Sequence, residues 1–134
     1  MLKVALFVED MVEDIEFSYP YYRFLEEGYE VDVISQTQKK VKGKKGGTFE
    51  ATKSINDIQS NDYDMVFIPG GYAPDKLRTN SKITDFIKQM DENKKVVAAI
   101  CHGPWVLVSA NICKDKKMTS YPSIKDDLKN AGAT

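Results

Sequence analysis

The sequence predicts an α/β protein, a three-layer sandwich with a mainly parallel central sheet. Two observations support this prediction. Short, almost wholly apolar runs recur along the chain, which is typical of strands covered on both faces. Segments with helical spacing of apolar residues separate these runs, and strands that alternate with helices form parallel sheets with right-handed crossovers.

The predicted elements follow this alternation. The strands are 2–8, 31–34, 65–68, 96–100 and 117–120. The first helix follows the acidic segment after strand one and ends at Gly28, which supplies a left-handed C-cap. Pro20 kinks this helix or lies in its first turn. The later helices are 81–90, 105–110 and 123–131. Ser81 is the predicted N-cap of the first of them. The Lys- and Gly-rich segment 38–47 favours a solvent-exposed hairpin tip over an anion-binding loop.

Composition restricts the function classes. The chain has 134 residues, of which 42% are hydrophobic and 29% are charged, and its net charge is −1. A near-neutral chain without a basic stripe is not expected to bind nucleic acid. The apolar N-terminal run breaks at Glu9 and Asp10 without a cleavage site, and no run reaches the roughly 18 apolar residues of a membrane span. We therefore expect a cytoplasmic protein whose two cysteines stay reduced.

The length predicts one domain over residues 1–134. Near the end, Gly132 would cap the last predicted helix, and the residues after it would begin another strand. We therefore expect the chain to be C-terminally truncated and to lack a strand or two and a final helix.

Unusual residues follow three of the predicted strands, where parallel sheets place their ligand sites. Cys101 lies between a strand and a helix, so the helix dipole and unpaired amides would favour its thiolate. Gly103 permits the sharp turn that presents such a nucleophile. Cys101 is the predicted reactive centre, and the adjacent His102, the one histidine of the chain, is a candidate acid and base.

Two further segments would share this edge of the sheet. Gly70 and Gly71 end a strand, where they form either an oxyanion hole or an ordinary turn. Five carboxylates lie within 9–16, and most are predicted to be solvated or to cap the helix rather than to bind a metal. One of them, turned inward and desolvated, would stay protonated and donate a hydrogen bond to a thiolate. Cys113 is predicted to be structural.

Four motifs in this order carry a family resemblance. They are Glu13-Asp14-Ile15-Glu16 through Tyr19-Pro20-Tyr21, Pro69-Gly70-Gly71-Tyr72-Ala73-Pro74, Ala99-Ile100-Cys101-His102-Gly103-Pro104 and Thr119-Ser120-Tyr121-Pro122. The chain resembles the PfpI intracellular protease family of the ThiJ/PfpI superfamily over essentially its whole length. The resemblance implies a class I glutamine amidotransferase-like fold with a flavodoxin-like sheet.

The resemblance also implies roles for four side chains. Cys101 matches the family's nucleophile, Glu16 the glutamate that hydrogen-bonds to it, and His102 the histidine that follows it. Asp75 matches the acidic residue that orients this histidine from a neighbouring subunit, where hyperthermophile members carry the longer glutamate. A homodimer, or a hexamer where proteolysis is claimed, is therefore the implied assembly.

Around these side chains, the resemblance implies that Gly70, Gly71 and the His102 amide donate to an oxyanion. It places Tyr121 near the pocket. No cofactor is expected, and no metal either, since no second acidic cluster would complete a metal site. A glutaminase of the amidotransferase type would need a further histidine downstream of the nucleophile, and none follows His102.

Three candidate functions depend on the turn that carries Cys101. The first is a cysteine-dependent hydrolase of peptides or amides, with Cys101 as nucleophile and His102 as acid and base. The second is a cofactor-independent glyoxalase or deglycase, in which Cys101 forms a hemithioacetal with methylglyoxal and Glu16 moves the proton. The third is a stress sensor that oxidises at Cys101 without turnover.

Overall fold

The computed structural model describes residues 1–134 and contains two sheets and five α-helices. The strands are β1 (Lys3–Phe7), β2 (Glu30–Ser35), β3 (Lys40–Lys42), β4 (Thr48–Glu50), β5 (Lys53–Ser54), β6 (Met65–Ile68) and β7 (Val96–Ala99). The helices are α1 (Asp14–Glu26), α2 (Ala73–Leu77), α3 (Ser81–Glu92), α4 (Pro104–Ser109) and α5 (Lys125–Asn130). Short 3₁₀ turns cover Ile55–Asp57, Ser60–Asp62 and Pro122–Ile124.

The main sheet has five parallel strands in the order β5-β2-β1-β6-β7. β1 lies at its centre, and successive residues of β1 face opposite sides of the sheet. Ala5 and Phe7 belong to the larger core cluster, to which α3, α4 and α5 contribute side chains. Leu6 belongs to the smaller cluster, which includes Phe17 of α1. Helices therefore cover both faces, and the predicted three-layer α/β fold is confirmed.

The Lys-rich segment forms the predicted hairpin, in which β3 and β4 pair antiparallel. Its side chains Val41 and Phe49 pack against the smaller core cluster. The hairpin also reaches back over the acidic loop, because the amide of Met11 donates to Lys42 O and the amide of Lys44 donates to Val12 O, at 2.8 and 2.9 Å. A surface ribbon is thereby held beside the carboxyl end of β1.

Gly28 ends α1 as predicted, with a φ of +81° that favours glycine. Pro20 lies in the interior of α1 rather than in its first turn. The predicted N-cap of α3 is wrong. The side chain of Asn80, one residue before Ser81, accepts the Lys82 amide at 3.0 Å, because the helix begins at Ser81, one residue earlier than an N-cap at Ser81 requires.

Two strand predictions also need correction. Residues 117–120 form no strand, since this segment pairs only with Thr134, through hydrogen bonds at Lys116 O and at the Met118 amide. Two hydrogen bonds to a single residue are too few to form the ladder that defines a β-strand. β7 is not fully buried either, because it lies at the edge of the sheet and Val96 is 57% exposed.

No helix in the structure has the length and apolar character that a membrane span requires.

The topology brings three loops together. β1, β6 and β7 are neighbours in the sheet and parallel, so the loops that leave their carboxyl ends lie side by side. An isolated bridge joins Val12 to Gly71, and the amide of Glu13 donates to Gly70 O at 3.2 Å. The amide of Tyr72 donates to Met11 O at 2.9 Å. The acidic loop and the glycine turn therefore form one backbone unit next to the turn that carries Cys101.

Candidate active site

Cys101 occupies a strained turn between β7 and α4. Its φ is +62°, a region that residues with a Cβ rarely adopt, and such strain is concentrated at functional sites. The amide of Gly103 donates to Ile100 O at 2.8 Å and closes the turn. A Cβ on Gly103 would lie 2.5 Å from Ile68 O, so the turn requires glycine there to pack against β6. The strained backbone of Cys101 and the glycine at position 103 thus form the predicted sharp turn between strand and helix.

Glu16 lies against the Cys101 side chain. Its Oε1 accepts the amide of Gly70 at 2.9 Å. A Cβ built on Gly70 would lie 2.5 Å from this Oε1, 2.7 Å from Cys101 Cβ and 3.1 Å from Cys101 Sγ. Gly70 is therefore the spacer that lets the carboxylate and the thiol occupy the same side of the turn. Of the five acidic side chains, Glu16 is the one placed against the Cys101 side chain.

The pKa of the Cys101 thiol is raised. Burial raises it most and the negative charge of Glu16 raises it further, while hydrogen bonds from the amides of Gly71 and His102 lower it. The sequence predicts that the turn would favour the thiolate, and the two amides do so, but burial and Glu16 outweigh them. The Gly70 amide donates to Glu16, so of the three predicted oxyanion donors it is the Gly71 and His102 amides that act on the thiol.

His102 lies beside the sulfur. Its Nδ1 is 3.4 Å from Cys101 Sγ, and its Nε2 is 3.5 Å from the hydroxyl of Ser123. Its ring stacks on Tyr121 at 4.7 Å between centroids and meets Trp105 edge-on at 5.1 Å. The structure therefore places both His102 and Tyr121 at the site, and it fixes the imidazole by aromatic contacts.

Asp75 is not part of this constellation within the chain. It lies exposed in the first turn of α2 and has no hydrogen bond to His102. The hydroxyl of Ser123 occupies the side of the imidazole where the carboxylate of a triad would lie. The role of Asp75 across a subunit interface stays a prediction.

A cleft of about 570 Å³, here called the Cys101 cleft, opens above the sulfur. Its lining includes Glu13, Glu16, Lys44, Tyr72, Cys101 and Trp105. Sequence reasoning missed the contributions of Lys44, Trp105 and Ser123. The facing charges of the acidic loop and the Lys-rich hairpin are the signal that would have placed Lys44 here.

The remaining acidic side chains have structural roles that differ from the prediction. Glu9 is 1% exposed and accepts a hydrogen bond from Lys39 Nζ at 2.6 Å. Burial raises its pKa, but the hydrogen bonds from Lys39, the Asp10 amide and Gln36 outweigh burial, so the net pKa is lowered. The side chain of Glu13 does not cap α1. These carboxylates do not gather into a group that could hold a metal ion.

Asp14 fastens the hairpin to the start of α1. Its two carboxylate oxygens accept the amides of Lys45 and Gly47 at 2.9 and 2.8 Å. A Cβ on Gly47 would lie 2.6 Å from Oδ2 of Asp14, so this approach needs glycine. The Lys-rich hairpin is therefore fixed to the start of α1, and it lines one side of the site through Lys44.

Comparison with known proteins decides the family. The DJ-1/PfpI family model matches residues 2–134. This chain belongs to the DJ-1/PfpI family. It is 45% identical over 132 residues to the Bacillus subtilis protein named "Putative cysteine protease YraA", covering 98% of this chain and 78% of that protein. It is 40% identical over 131 residues to "Deglycase PYRAB04690" of Pyrococcus abyssi, covering 98% and 79%.

A solved DJ-1/PfpI structure matches the fold closely. It is the crystal structure of a two-domain protein from Anabaena variabilis with dj-1/thij/pfpi-like and ferritin-like domains. The TM-score is 0.96 with 38% sequence identity, over 99% of this chain and 39% of that chain. The resemblance stated from the sequence motifs is thereby confirmed for family and fold. The DJ-1/PfpI relatives carry both protease and deglycase names, so the family supports an enzyme without fixing its reaction.

Proposed function

We propose that this protein is a cofactor-independent enzyme of the deglycase or glyoxalase type, which attacks the carbonyl carbon of small aldehydes and their adducts through Cys101. The observation that carries the proposal is the position of Glu16 against the Cys101 side chain, with the Gly70 amide holding its Oε1 at 2.9 Å. This arrangement couples a nucleophile to a proton carrier on one side of a single turn. The name of the Pyrococcus abyssi relative supports the same reaction class.

In this mechanism, the sulfur of Cys101 forms a bond to the aldehyde carbon of methylglyoxal. The carbonyl electron pair moves to the oxygen, which takes a proton and gives a hemithioacetal. The amides of Gly71 and His102, which lower the pKa of the Cys101 thiol, stabilise the thiolate that makes this attack.

Glu16 then takes the proton from the former aldehyde carbon, which gives an enediolate, and returns it to the neighbouring carbonyl carbon. The hydroxyl proton of the hemithioacetal passes to the neighbouring oxygen in the same step. This transfer converts the hemithioacetal into a lactoyl thioester without any external oxidant. Water hydrolyses the thioester, which releases lactate and returns the Cys101 thiol. A carboxyl group suits this role because it accepts and returns the same proton within one cycle.

The test is lactate formation from methylglyoxal by the purified protein without glutathione. We expect turnover by the wild type and a loss of at least about 1000-fold in Cys101→Ser, because a hydroxyl at this position lacks the nucleophilicity of a thiolate. Cys113→Ala is the control, since it changes the other cysteine, which lies in the core away from the cleft. Turnover that survives Cys101→Ser would refute the proposal.

Hydrolysis of peptides or amides is the second candidate, and the contact of His102 Nδ1 with Cys101 Sγ at 3.4 Å favours it. In this mechanism, His102 takes the thiol proton and returns it to the leaving amine. Asp75 of a neighbouring subunit would complete the triad. Peptidase activity that disappears in Cys101→Ser and falls in Asp75→Asn would support it. A purely monomeric protein by size-exclusion chromatography would remove the part assigned to Asp75.

A further inference from the structure

Glu9 is a buried carboxylate that the proposed mechanism does not use. It lies two residues after β1 and is 1% exposed. Its Oε1 accepts the amide of Asp10 at 2.9 Å and Nζ of Lys39 at 2.6 Å, and its Oε2 accepts Ser35 Oγ at 3.2 Å and Gln36 Nε2 at 2.9 Å. A buried carboxylate with four donors is held in one orientation and can hold its partners in turn.

The side chain and the backbone of Glu9 together fix a strained turn. The φ of Met11 is +69°, a conformation that residues with a Cβ rarely adopt and that persists only where the surroundings hold it. On one side, Oε1 of Glu9 binds the Asp10 amide, and the carbonyl of Glu9 accepts the Val12 amide at 3.2 Å. On the other side, the Met11 amide donates to Lys42 O at 2.8 Å. The turn 9–12 is therefore held between Glu9 and the hairpin.

This turn supports the glycine turn next to the sulfur. The carbonyl of Met11 accepts the Tyr72 amide at 2.9 Å, and a backbone bridge joins Val12 to Gly71. A Cβ on Gly71 would lie 2.6 Å from Met11 O, so the two segments are in direct contact. The Gly71 amide is one of the two that lower the pKa of the Cys101 thiol. A displacement of Met11 would therefore move a donor that stabilises the thiolate.

We propose that Glu9 is a positioning residue for the Cys101 thiol. Its charged side chain holds the turn at Met11, and that turn keeps the Gly71 amide beside the thiol. The proposal rests on the proposed function in one respect, that Cys101 is the group that reacts.

The charge of Glu9 is required, because an amide of the same shape does not suit its partners. Gln36 donates to Oε2 through Nε2, and its Oε1 already accepts Asn80 Nδ2 at 3.1 Å. The NH₂ group of a glutamine at position 9 would face either Nζ of Lys39 or Nε2 of Gln36, donor against donor. The hydrogen bonds of Glu9 outweigh its burial and lower its pKa, so the carboxylate is charged at neutral pH.

The pH dependence of Cys101 alkylation by iodoacetamide separates positioning from charge. Glu9→Gln removes a negative charge, and a through-space effect alone would lower the pKa of the thiol. Displacement of the Gly71 amide acts in the opposite direction. We therefore expect the midpoint of the alkylation profile to rise by about 0.5 pH unit, which slows alkylation at pH 7 about three-fold. The titratable side chains that line the cleft are the same in every variant, namely Glu13, Glu16, Lys44, Tyr72, His102 and Tyr121. A midpoint that is unchanged or lower would overturn the proposal.

Lys39 provides a second test that leaves the buried side chain in place. The Lys39 side chain is 34% exposed, so Lys39→Met is expected to fold. This change takes the ammonium from Oε1 of Glu9 and should also raise the midpoint, whereas Lys39→Arg should keep it because a guanidinium can donate to the same oxygen. Lys40→Met removes the same charge from an exposed neighbour in β3 and is the matched control. Equal midpoints in Lys39→Met and Lys40→Met would refute the role of the Glu9 contact.

Asp32→Asn is the control for a general loss of stability. Asp32 is 8% exposed, accepts the Tyr63 hydroxyl at 2.6 Å and lies 3.3 Å from Nζ of Lys53. It resembles Glu9 as a buried carboxylate bound to a lysine, but its partners lie outside the turn 9–12. We expect Asp32→Asn to lower the melting temperature and to leave the alkylation midpoint unchanged. A midpoint that rises as much in Asp32→Asn as in Glu9→Gln would mean that stability alone controls it, which contradicts the proposal.

Lactate formation from methylglyoxal is measured in the same variants, which separates this proposal from the proposed function. Alkylation of Cys101 does not depend on turnover. When the wild type forms no lactate and Glu9→Gln still raises the midpoint, the positioning role is supported and only the proposed reaction is lost. An unchanged midpoint in both Glu9→Gln and Lys39→Met overturns the positioning role, even when the wild type forms lactate.

Discussion

The two cysteines of the chain show how the same side chain acquires different roles from its surroundings. Cys101 is partly exposed in a cleft, on a turn with a φ of +62°, with Glu16 and His102 beside it. Cys113 is 1% exposed and belongs to the larger core cluster behind the sheet. The first has polar partners and access to solvent, and the second has neither feature.

The comparison also shows what does not distinguish them. The pKa of both thiols is raised, and burial is the largest cause in each case. At Cys113 the one opposing influence is the charge of Lys116, whereas two amides favour the thiolate of Cys101. Access and directed partners, rather than a low pKa of the isolated thiol, therefore mark Cys101 as the reactive residue.

The largest expected contrast between the two cysteines is in alkylation of the native protein. Iodoacetamide should modify Cys101 and leave Cys113 unmodified, because Cys113 becomes accessible only when the core opens. We expect the rate ratio to exceed about 1000-fold, as opening a core costs much of the global stability. Peptide mass spectrometry of a time course measures both rates. In urea, the two cysteines should react alike, and early labelling of Cys113 without denaturant would contradict the contrast.

The next contrast between the two cysteines comes from Glu16, which lies against Cys101 and not against Cys113. Glu16→Gln should lower turnover of methylglyoxal about 100-fold, because an amide cannot carry the proton. The same change should lower the pKa of the Cys101 thiol, since the negative charge that raises it is gone. Alkylation of Cys101 would then shift to lower pH while turnover falls.

Turnover and alkylation of Glu16→Gln together decide whether Glu16 carries the proton or only activates the thiol. A parallel loss of turnover and of alkylation would mean that Glu16 serves only to activate the thiol. The pH dependence of Cys113 alkylation in urea is the internal reference, because Glu16 has no influence there. A thermal melt of the variant verifies that the fold is intact.

What the sequence predicts well is local or repeated along the chain. The apolar runs predict β1, β2, β6 and β7 to within a residue or two, because a strand buried in the sheet must be apolar. The turns at Gly28 and Gly103 are predicted because each requires glycine, Gly28 for its φ of +81° and Gly103 for its close approach to Ile68 O. Residues 117–120 look like a strand by composition, but a strand also needs a neighbour with which to form a ladder, and composition does not supply one.

The parts of the site that were missed depend on contacts between distant segments. Lys44 reaches Glu13 only because the hairpin folds back over the acidic loop, where Asp14 holds its tip through the amides of Lys45 and Gly47. Ser123 reaches His102 only through the path of the chain after α4. Residues within one turn, such as Cys101 and His102, could be predicted together because the turn itself keeps them close.

The smallest expected effects are those of substitutions at Cys113, which should change the free energy of unfolding and leave turnover unchanged. Cys113→Ala should leave turnover unchanged and lower the free energy of unfolding by about 1 kcal/mol, the cost of a small cavity in a packed core. The corresponding fall in melting temperature is about 4 °C for a chain of this size. Cys113→Ser should cost more than Cys113→Ala, because its hydroxyl enters an apolar cluster without a partner. A reversed order, with serine the milder change, would mean that Cys113 has a polar contact and that the two cysteines differ less than their surroundings indicate.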